Sequence, residues 1–341
     1  MKFDVVVGNP PYQESNEDTR DDAIYNYFYD LAEKIAPEYA LISPARFLFN
    51  AGSTDEKWNK KMLSDEHLKV LFYERNSSKI FKNTDIKGGI TIIYRNQNKN
   101  FGKIGMFTPH PELSPIINKV FSNPIDTIDE IISGQGIYKF TDKMHADHPE
   151  VKGILSKSHP NDVGTGVLNT LDNIVFFENK PEDGNEYIKI FGRYKNNRVS
   201  HWIRKDYINE PLGYDKYRVV IPKAVGNGYL GESLANPVIL DPYCGFTQTF
   251  IYIGMFNHKT ESENVLKYIK TKFARIMLGV LKITQDGPRN KWKYVPLQNF
   301  TNDSDIDWNN SIDEIDEQLF KKYKLSSDDI HFIKSTAKKM I

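Results

Sequence analysis

The chain has 341 residues, its 45 Lys+Arg offset by 45 Asp+Glu, with a mean hydropathy of −0.54. That length allows about two domains with a substantial core in each, and 39% hydrophobic residues beside 26% charged ones exclude wholesale disorder. A single cysteine, Cys244, excludes a disulfide framework and suits a reducing cytoplasm. No apolar run approaches the roughly 20 residues that span a bilayer, and the first residues lack a signal-peptide pattern, so no membrane partner is expected.

Phe3–Val7 (FDVVV) is a short β-branched run of the kind buried in a parallel strand. A polar loop, Gln13–Asp21, follows. Ile24, Phe28, Leu31 and Ile35 then recur at helical spacing, predicting a helix over Asp21–Ile35 with Asp21 and Asp22 at its positive end. Tyr39–Ser43, Leu68–Glu74 and Gly89–Arg95 read as strands, with a helix over residues 55–64. This alternation predicts an open α/β sheet over residues 1–98.

Residues 99–180 carry no single periodicity and read as a connecting region. In 181–300, strands are expected at Tyr187–Phe191, Tyr217–Pro222, Pro237–Leu240 and Thr247–Tyr252, and one helix from Ser262 to about Leu281. Residues 301–341 form an acidic tail of two helices, opened by Ser311-x-x-Glu314 and by Ser326-Ser327-Asp328-Asp329.

The neutral total is uneven. Residues 1–100 sum to −1, 101–180 to −3, 181–300 to +7 and 301–341 to −3. The basic segment interleaves aromatics with cations, as in Phe191-Gly192-Arg193-Tyr194-Lys195, His201-Trp202-Ile203-Arg204-Lys205 and Lys291-Trp292-Lys293-Tyr294. Cations of this kind neutralise phosphates, and rings stack on bases. Arg193, Lys195, Arg198, Arg204, Lys205, Lys223, Lys272, Arg275, Arg289, Lys291 and Lys293 are the candidate DNA contacts. The competing reading is a solvated basic face over packed aromatics.

The first strand runs into Asn9-Pro10-Pro11-Tyr12. Ligands of open parallel sheets bind beyond the carboxyl ends of the strands, where this turn is expected. Its composition suits a grip on a planar NH2 group. The amine of adenine is a poor nucleophile because its lone pair is delocalised into the ring. Accepting both its N–H bonds, on an Asn side-chain oxygen and a backbone carbonyl, returns that pair to nitrogen. Proline offers a carbonyl and no competing N–H, and two prolines stiffen the turn. Tyr12 can stack on the base, which an enzyme acting on duplex DNA must flip out.

Here the chain resembles the gamma-class adenine-specific DNA methyltransferases of restriction–modification systems, of type II/IIG character. FDVVVGNPPY is similar to the family's catalytic motif. The resemblance implies that Asn9 and the Pro10 carbonyl accept from the adenine amine, with Pro11 completing the turn and Tyr12 stacking. Ala40–Phe49 resembles the next strand and its Pro turn. Ile80–Ile93 resembles the segment that sets a second aromatic against the base, which places Phe81 there. Phe191-Gly192-Arg193, Lys270–Arg275 and Trp292–Pro296 resemble pieces of a target-recognition domain. The implied fold is the C-terminal half of a doubly wound, Rossmann-like sheet, then a mixed α+β recognition domain and a short helical tail.

The resemblance implies S-adenosylmethionine as methyl donor, yet the family's Gly-rich donor loop precedes the catalytic motif, and here eight residues precede Asn9. Two segments could substitute for that loop. Val238–Gly245 looks like such a loop's entry strand, but Thr247 stands where a second glycine is needed. Gly226-Asn227-Gly228-Tyr229-Leu230-Gly231 is a formal GxGxxG that reads better as a hairpin turn. The expectation is therefore an incomplete enzyme, needing an upstream part or a separate donor-binding subunit, with duplex DNA as substrate. The alternative is a non-catalytic DNA-recognition module with a vestigial motif. A protein-glutamine methyltransferase shares the NH2 chemistry but not the long basic extension. The eight histidines show no metal-ligand spacing.

Overall fold

A computed structural model describes residues 3–14, 22–49 and 51–340. The chain divides into two compact units, Met1–Ser114 and Pro115–Ile341. Each is mixed α/β.

In the first unit, β1 (Val5–Gly8), β2 (Glu38–Pro44), β3 (Leu68–Glu74) and β4 (Ile90–Asn96) form one sheet in the order β1-β2-β4-β3. β1 runs parallel to β2, Gly8 opposite Leu41, whereas β4 lies antiparallel between β2 and β3. All four expected strands form, but the last in sequence inserts between two earlier ones. Gly89 makes that insertion possible: at φ +84° a Cβ there would stand 2.5 Å from the Glu74 carbonyl oxygen.

Helix α1 (Tyr25–Ile35) is shorter than expected. Asp22 pairs with Glu14 in a two-residue ladder instead of opening the helix, and residues 15–21, Asp21 among them, lie outside the described residues. The helix stops at Ala36, which is extended as a residue before proline must be. Its buried face is aromatic. Tyr25 and Tyr29 pack on Phe47, and Phe47 meets Trp58 of α2 (Glu56–Ser64) edge-on at 5.2 Å. Such ring pairs add about 0.5–1.5 kcal/mol each beyond area burial. The Asp55 carboxylate caps α2, accepting from the N–H groups of Lys57 and Trp58.

The second unit holds two three-stranded sheets. In one, the hairpin β5 (Tyr187–Tyr194) and β6 (Asn197–Arg204) is joined in parallel by β9 (Cys244–Phe246). In the other, β7 (Tyr217–Pro222) lies between β8 (Val238–Leu240) and β10 (Phe250–Phe256). Strands β6 and β9 were not expected, and β10 starts at Phe250 rather than Thr247. The hairpin tip is Lys195-Asn196, both at positive φ (46° and 66°), as a two-residue turn with matched twist requires. Tyr138, Phe176, Ile190, Ile203, Phe246 and Phe250 are buried together between the elements.

The single helix expected from Ser262 is two, α3 (Lys259–Lys270) and α4 (Lys272–Gly279). Thr271 breaks the run: its backbone is extended and its hydroxyl accepts from the Ala274 N–H at 3.1 Å, capping the second helix. The tail helices α5 (Ile312–Lys322) and α6 (Ser327–Thr336) carry the expected capping boxes. They pack into this unit. Asp316 of α5 accepts from the N–H groups of Lys272 and Phe273 at 2.9 Å, at the positive end of α4. Among the described residues, no helix is long and apolar enough to cross a membrane.

Candidate active site and nucleic-acid interface

β1 delivers Asn9-Pro10-Pro11-Tyr12 to the carboxyl end of the parallel pair it forms with β2. The Tyr12 carbonyl accepts from the Ile24 N–H at 3.2 Å, tying the turn to the start of α1. Asn9 and Pro11 are exposed; Pro10 and Tyr12 are half-buried.

Asn9 and Pro10 border a pocket of about 210 Å³ whose other walls include Val6, Phe28, Leu31 and Leu41. On the opposite flank, Tyr12 lines a cleft of about 340 Å³ with Pro44, Arg46, Asp85 and Ile86. The Tyr12 hydroxyl is sealed from solvent and has no hydrogen-bond partner among the described residues. Burial pushes this phenol's pKa up, and the nearby Asn9 side chain offsets part of the rise without completing a hydrogen bond. An orphaned hydroxyl costs about 1–3 kcal/mol. The turn thus presents an exposed amide and an unsatisfied hydroxyl side by side.

Phe81 is half-buried on the loop after β3, where its N–H donates to the Ser77 carbonyl at 2.8 Å. That loop reaches the Tyr12 cleft through Asp85 and Ile86, and Phe81 does not line it. Arg46, Asp85 and Ile86 fall within the segments Ala40–Phe49 and Ile80–Ile93, but none of the three was itself expected at the site.

The pocket beside Asn9 is a poor seat for a complete S-adenosylmethionine. Its lining is apolar apart from Asn9, with no carboxylate for ribose hydroxyls or an ammonium group. This pocket alone therefore lacks partners for the donor's ribose and ammonium groups. Neither substitute loop serves. Val238–Gly245 spans β8 and β9 with no helix opening after it, and a Cβ on Gly245 would stand 2.4 Å from Ile190 Cδ1. The glycine turn at Gly226–Gly231 already holds an anion: the N–H groups of Asn227 and Gly228 donate to the Glu232 carboxylate.

The candidate DNA contacts separate into groups. Arg193, Lys195 and Arg198 are exposed around the β5–β6 tip. Arg193 donates to the Asn196 side chain at 2.9 Å, Lys195 lies over the Tyr194 ring, and Arg198 donates to the Ala235 and Asn236 carbonyls. None of the three meets a carboxylate among the described residues. Arg204 is held by Asp206 at 2.6 Å, and Lys205 is flanked by Glu186 and Glu210 at 3.4 and 3.8 Å. These acids neutralise both. Lys272 is half-buried at the start of α4.

Arg275 and Lys291, expected to contact DNA, are instead buried. Arg275 is 2% exposed, its guanidinium donating to the carbonyls of Gly231, Lys270, Thr271 and Lys338, which leaves no edge for a phosphate. Lys291 is buried, and desolvation lowers its pKa to about 8 against the opposing pull of Asp286. Lys223, Arg289 and Lys293 instead meet around one cleft of about 490 Å³, together with Gln135 and Asn290, which charge alone did not single out. Among the described residues, no group of acids, histidines and cysteine has the arrangement of a metal site.

The chain is 30% identical over 152 residues to an "Uncharacterized adenine-specific methylase" of Mycoplasma pneumoniae (strain ATCC 29342 / M129 / Subtype 1), a stretch covering 41% of this chain and 35% of that protein. It superimposes on the type IIL restriction-modification enzyme MmeI in complex with DNA with a TM-score of 0.47 at 10% identity, over 98% of this chain and 56% of that one. For the type IIG restriction endonuclease BpuSI the TM-score is 0.34 at 11% identity, over 97% and 52% of the two chains. The chain thus spans about a third of the curated relative it matches. Residues 1–81, which carry the sheet's first three strands and the Asn9–Tyr12 turn, match the family described as Eco57I restriction-modification methylase.

Proposed function

We propose that this chain carries the adenine-gripping turn and the DNA-recognition unit of a restriction–modification adenine methyltransferase. The observation that supports this most is the position of Asn9. It is exposed at the carboxyl end of a parallel strand, between an apolar pocket and the cleft lined by Tyr12. In this reading the Asn9 Oδ1 and the Pro10 carbonyl accept the two N–H bonds of a flipped adenine. The lone pair is drawn onto nitrogen, Tyr12 packs on the ring, and the half-buried turn excludes water from one side.

S-adenosylmethionine supplies the methyl group when bound, held chiefly by a complementary part, whether in the same polypeptide or a separate subunit. The exposure of β1 supports that requirement. Val5 and Val7 are 51% and 75% exposed, and among the described residues β1 pairs on one side only, with β2. Apolar strand edges of this kind recruit a neighbour.

The test is methyl transfer from labelled S-adenosylmethionine to duplex DNA, by this chain with and without a donor-binding methyltransferase part. The expected product is N6-methyladenine, formed only in the mixture. DNA binding without methylation in any mixture favours the recognition-module alternative, and methylated protein in place of DNA overturns the substrate assignment.

A further inference from the structure

The cleft of about 490 Å³ in the second unit is built differently from the rest of the basic surface. Its walls are fixed from within. Ser133 exchanges hydrogen bonds with the Tyr252 backbone of β10, its N–H donating at 3.0 Å and its hydroxyl accepting at 2.9 Å. The Gly287 N–H donates to the Lys223 carbonyl at 2.7 Å, and the indole of buried Trp292 donates to the Gly287 carbonyl at 3.3 Å. The turn Arg289–Trp292 is thereby anchored on a core side chain.

The side chains on these walls are not committed in the same way. Arg289, Asn290 and Lys293 are exposed, and among the described residues none has a hydrogen-bond or ion-pair partner for its side chain. Lys223 lies 3.4 Å from Asp286 at the rim. Asp129, the one acid among the described lining residues, is buried and accepts from the Thr127 hydroxyl. The exposed side chains of the cleft are therefore predominantly cationic donors and an amide on a rigid backbone, the makings of a polyanion reader. An arginine beside an asparagine adds information that lysines lack. A guanidinium matches the O6/N7 edge of guanine, and a carboxamide matches the N6/N7 edge of adenine.

Resting on the proposed DNA-directed function, we infer that this cleft reads duplex DNA. Arg289 and Asn290 contact base edges and set sequence preference, while Lys293 holds a flanking phosphate and Lys223, paired with Asp286, shapes the rim. Gln135, whose amide donates to the Gln248 carbonyl at 3.0 Å, forms a fixed wall rather than a reader.

The experiment is selection from randomised duplex DNA by the full chain, followed by affinity measurements against salt. The wild type is expected to enrich a motif. Asn290→Ala and Arg289→Ala should each relax preference at one position by about 5- to 100-fold. Lys293→Ala should weaken all sequences alike and lower the salt slope by about 0.9. Variants of Arg289 and Asn290 that select the wild-type motif unchanged overturn the inference and leave the DNA-directed function standing. Wild-type binding with no motif also overturns it. A chain that binds no duplex at all overturns the function itself.

Discussion

The Glu232 carboxylate accepts from the backbone N–H of Gly228 at 3.0 Å, and the buried ammonium of Lys282 donates to the same carboxylate. Lys282 also donates to the Val225 and Thr284 carbonyls, so an internal ion pair occupies the glycine turn. Removing one partner strands the other. Glu232→Ala should lower stability by about 3–5 kcal/mol, read as a drop in the urea midpoint. Gly228→Ala should do comparable damage, since at φ +71° its Cβ would lie 2.1 Å from the Ile283 carbonyl carbon. Unchanged midpoints would reopen the turn as a ligand site.

Arg193 and Arg275 should separate surface from scaffold. Arg193→Ala at the exposed hairpin tip should reduce the salt slope of DNA binding by about 0.9 with little change in stability. Arg275→Ala should cost about 2–3 kcal/mol in stability, because it leaves buried carbonyls without their donor. Denaturant titrations and binding at several salt concentrations distinguish the two, and an equal salt effect from both would contradict the burial argument.

Asp316 gives a pH dependence with a definite sign. Burial raises its pKa from 3.8 to about 6, despite the two backbone N–H groups that hold it. The folded protein therefore retains a proton that the unfolded chain has lost between about pH 4 and 6. This group's contribution makes stability fall as pH rises through that window, by up to about 3 kcal/mol, and flat above it. The test is the difference between wild type and Asp316→Asn in urea unfolding at pH 4.5 and pH 7. A difference that does not move with pH contradicts the shift.

The β1 edge makes a prediction about assembly. Val7 is three-quarters exposed, so Val7→Lys should change the chain's own stability by less than about 0.5 kcal/mol. It should nevertheless reduce self-association and weaken pairing with a donor-binding part. Sedimentation and reconstituted methyl transfer read the two effects. Full reconstitution by the lysine variant would remove β1 from the assembly surface.

Much of the first unit was legible in the sequence because its strands are short apolar runs and the Asn9–Tyr12 turn has a distinctive composition. The burial expected of Phe3–Val7 is not met, Val5 and Val7 being exposed on a strand paired on one side among the described residues. The insertion of β4 between β2 and β3 was not legible, since strand order depends on long-range pairing that no local pattern carries. The break at Thr271 was hidden inside a run of helical periodicity, where a single hydroxyl cap outweighs the pattern. The turn at Lys195-Asn196 lacked the usual glycine. Charge counting located the basic segment but treated Arg193, Arg275 and Lys291 alike. Only packing distinguishes a guanidinium in water from one enclosed by carbonyls, and only packing brings the neighbours Arg289 and Asn290 to Lys223.

In the proposed function, Asn9 grips the amine to be methylated. The most direct measurement is N6-methyladenine formed on duplex DNA by Asn9→Ala and by wild type, each supplied with S-adenosylmethionine and the donor-binding part. Asn9→Ala should lose at least about 100-fold in methyl transfer, as for removal of a group that acts on the transition state, with DNA affinity unchanged. Methylation by the variant at the wild-type rate would contradict that role.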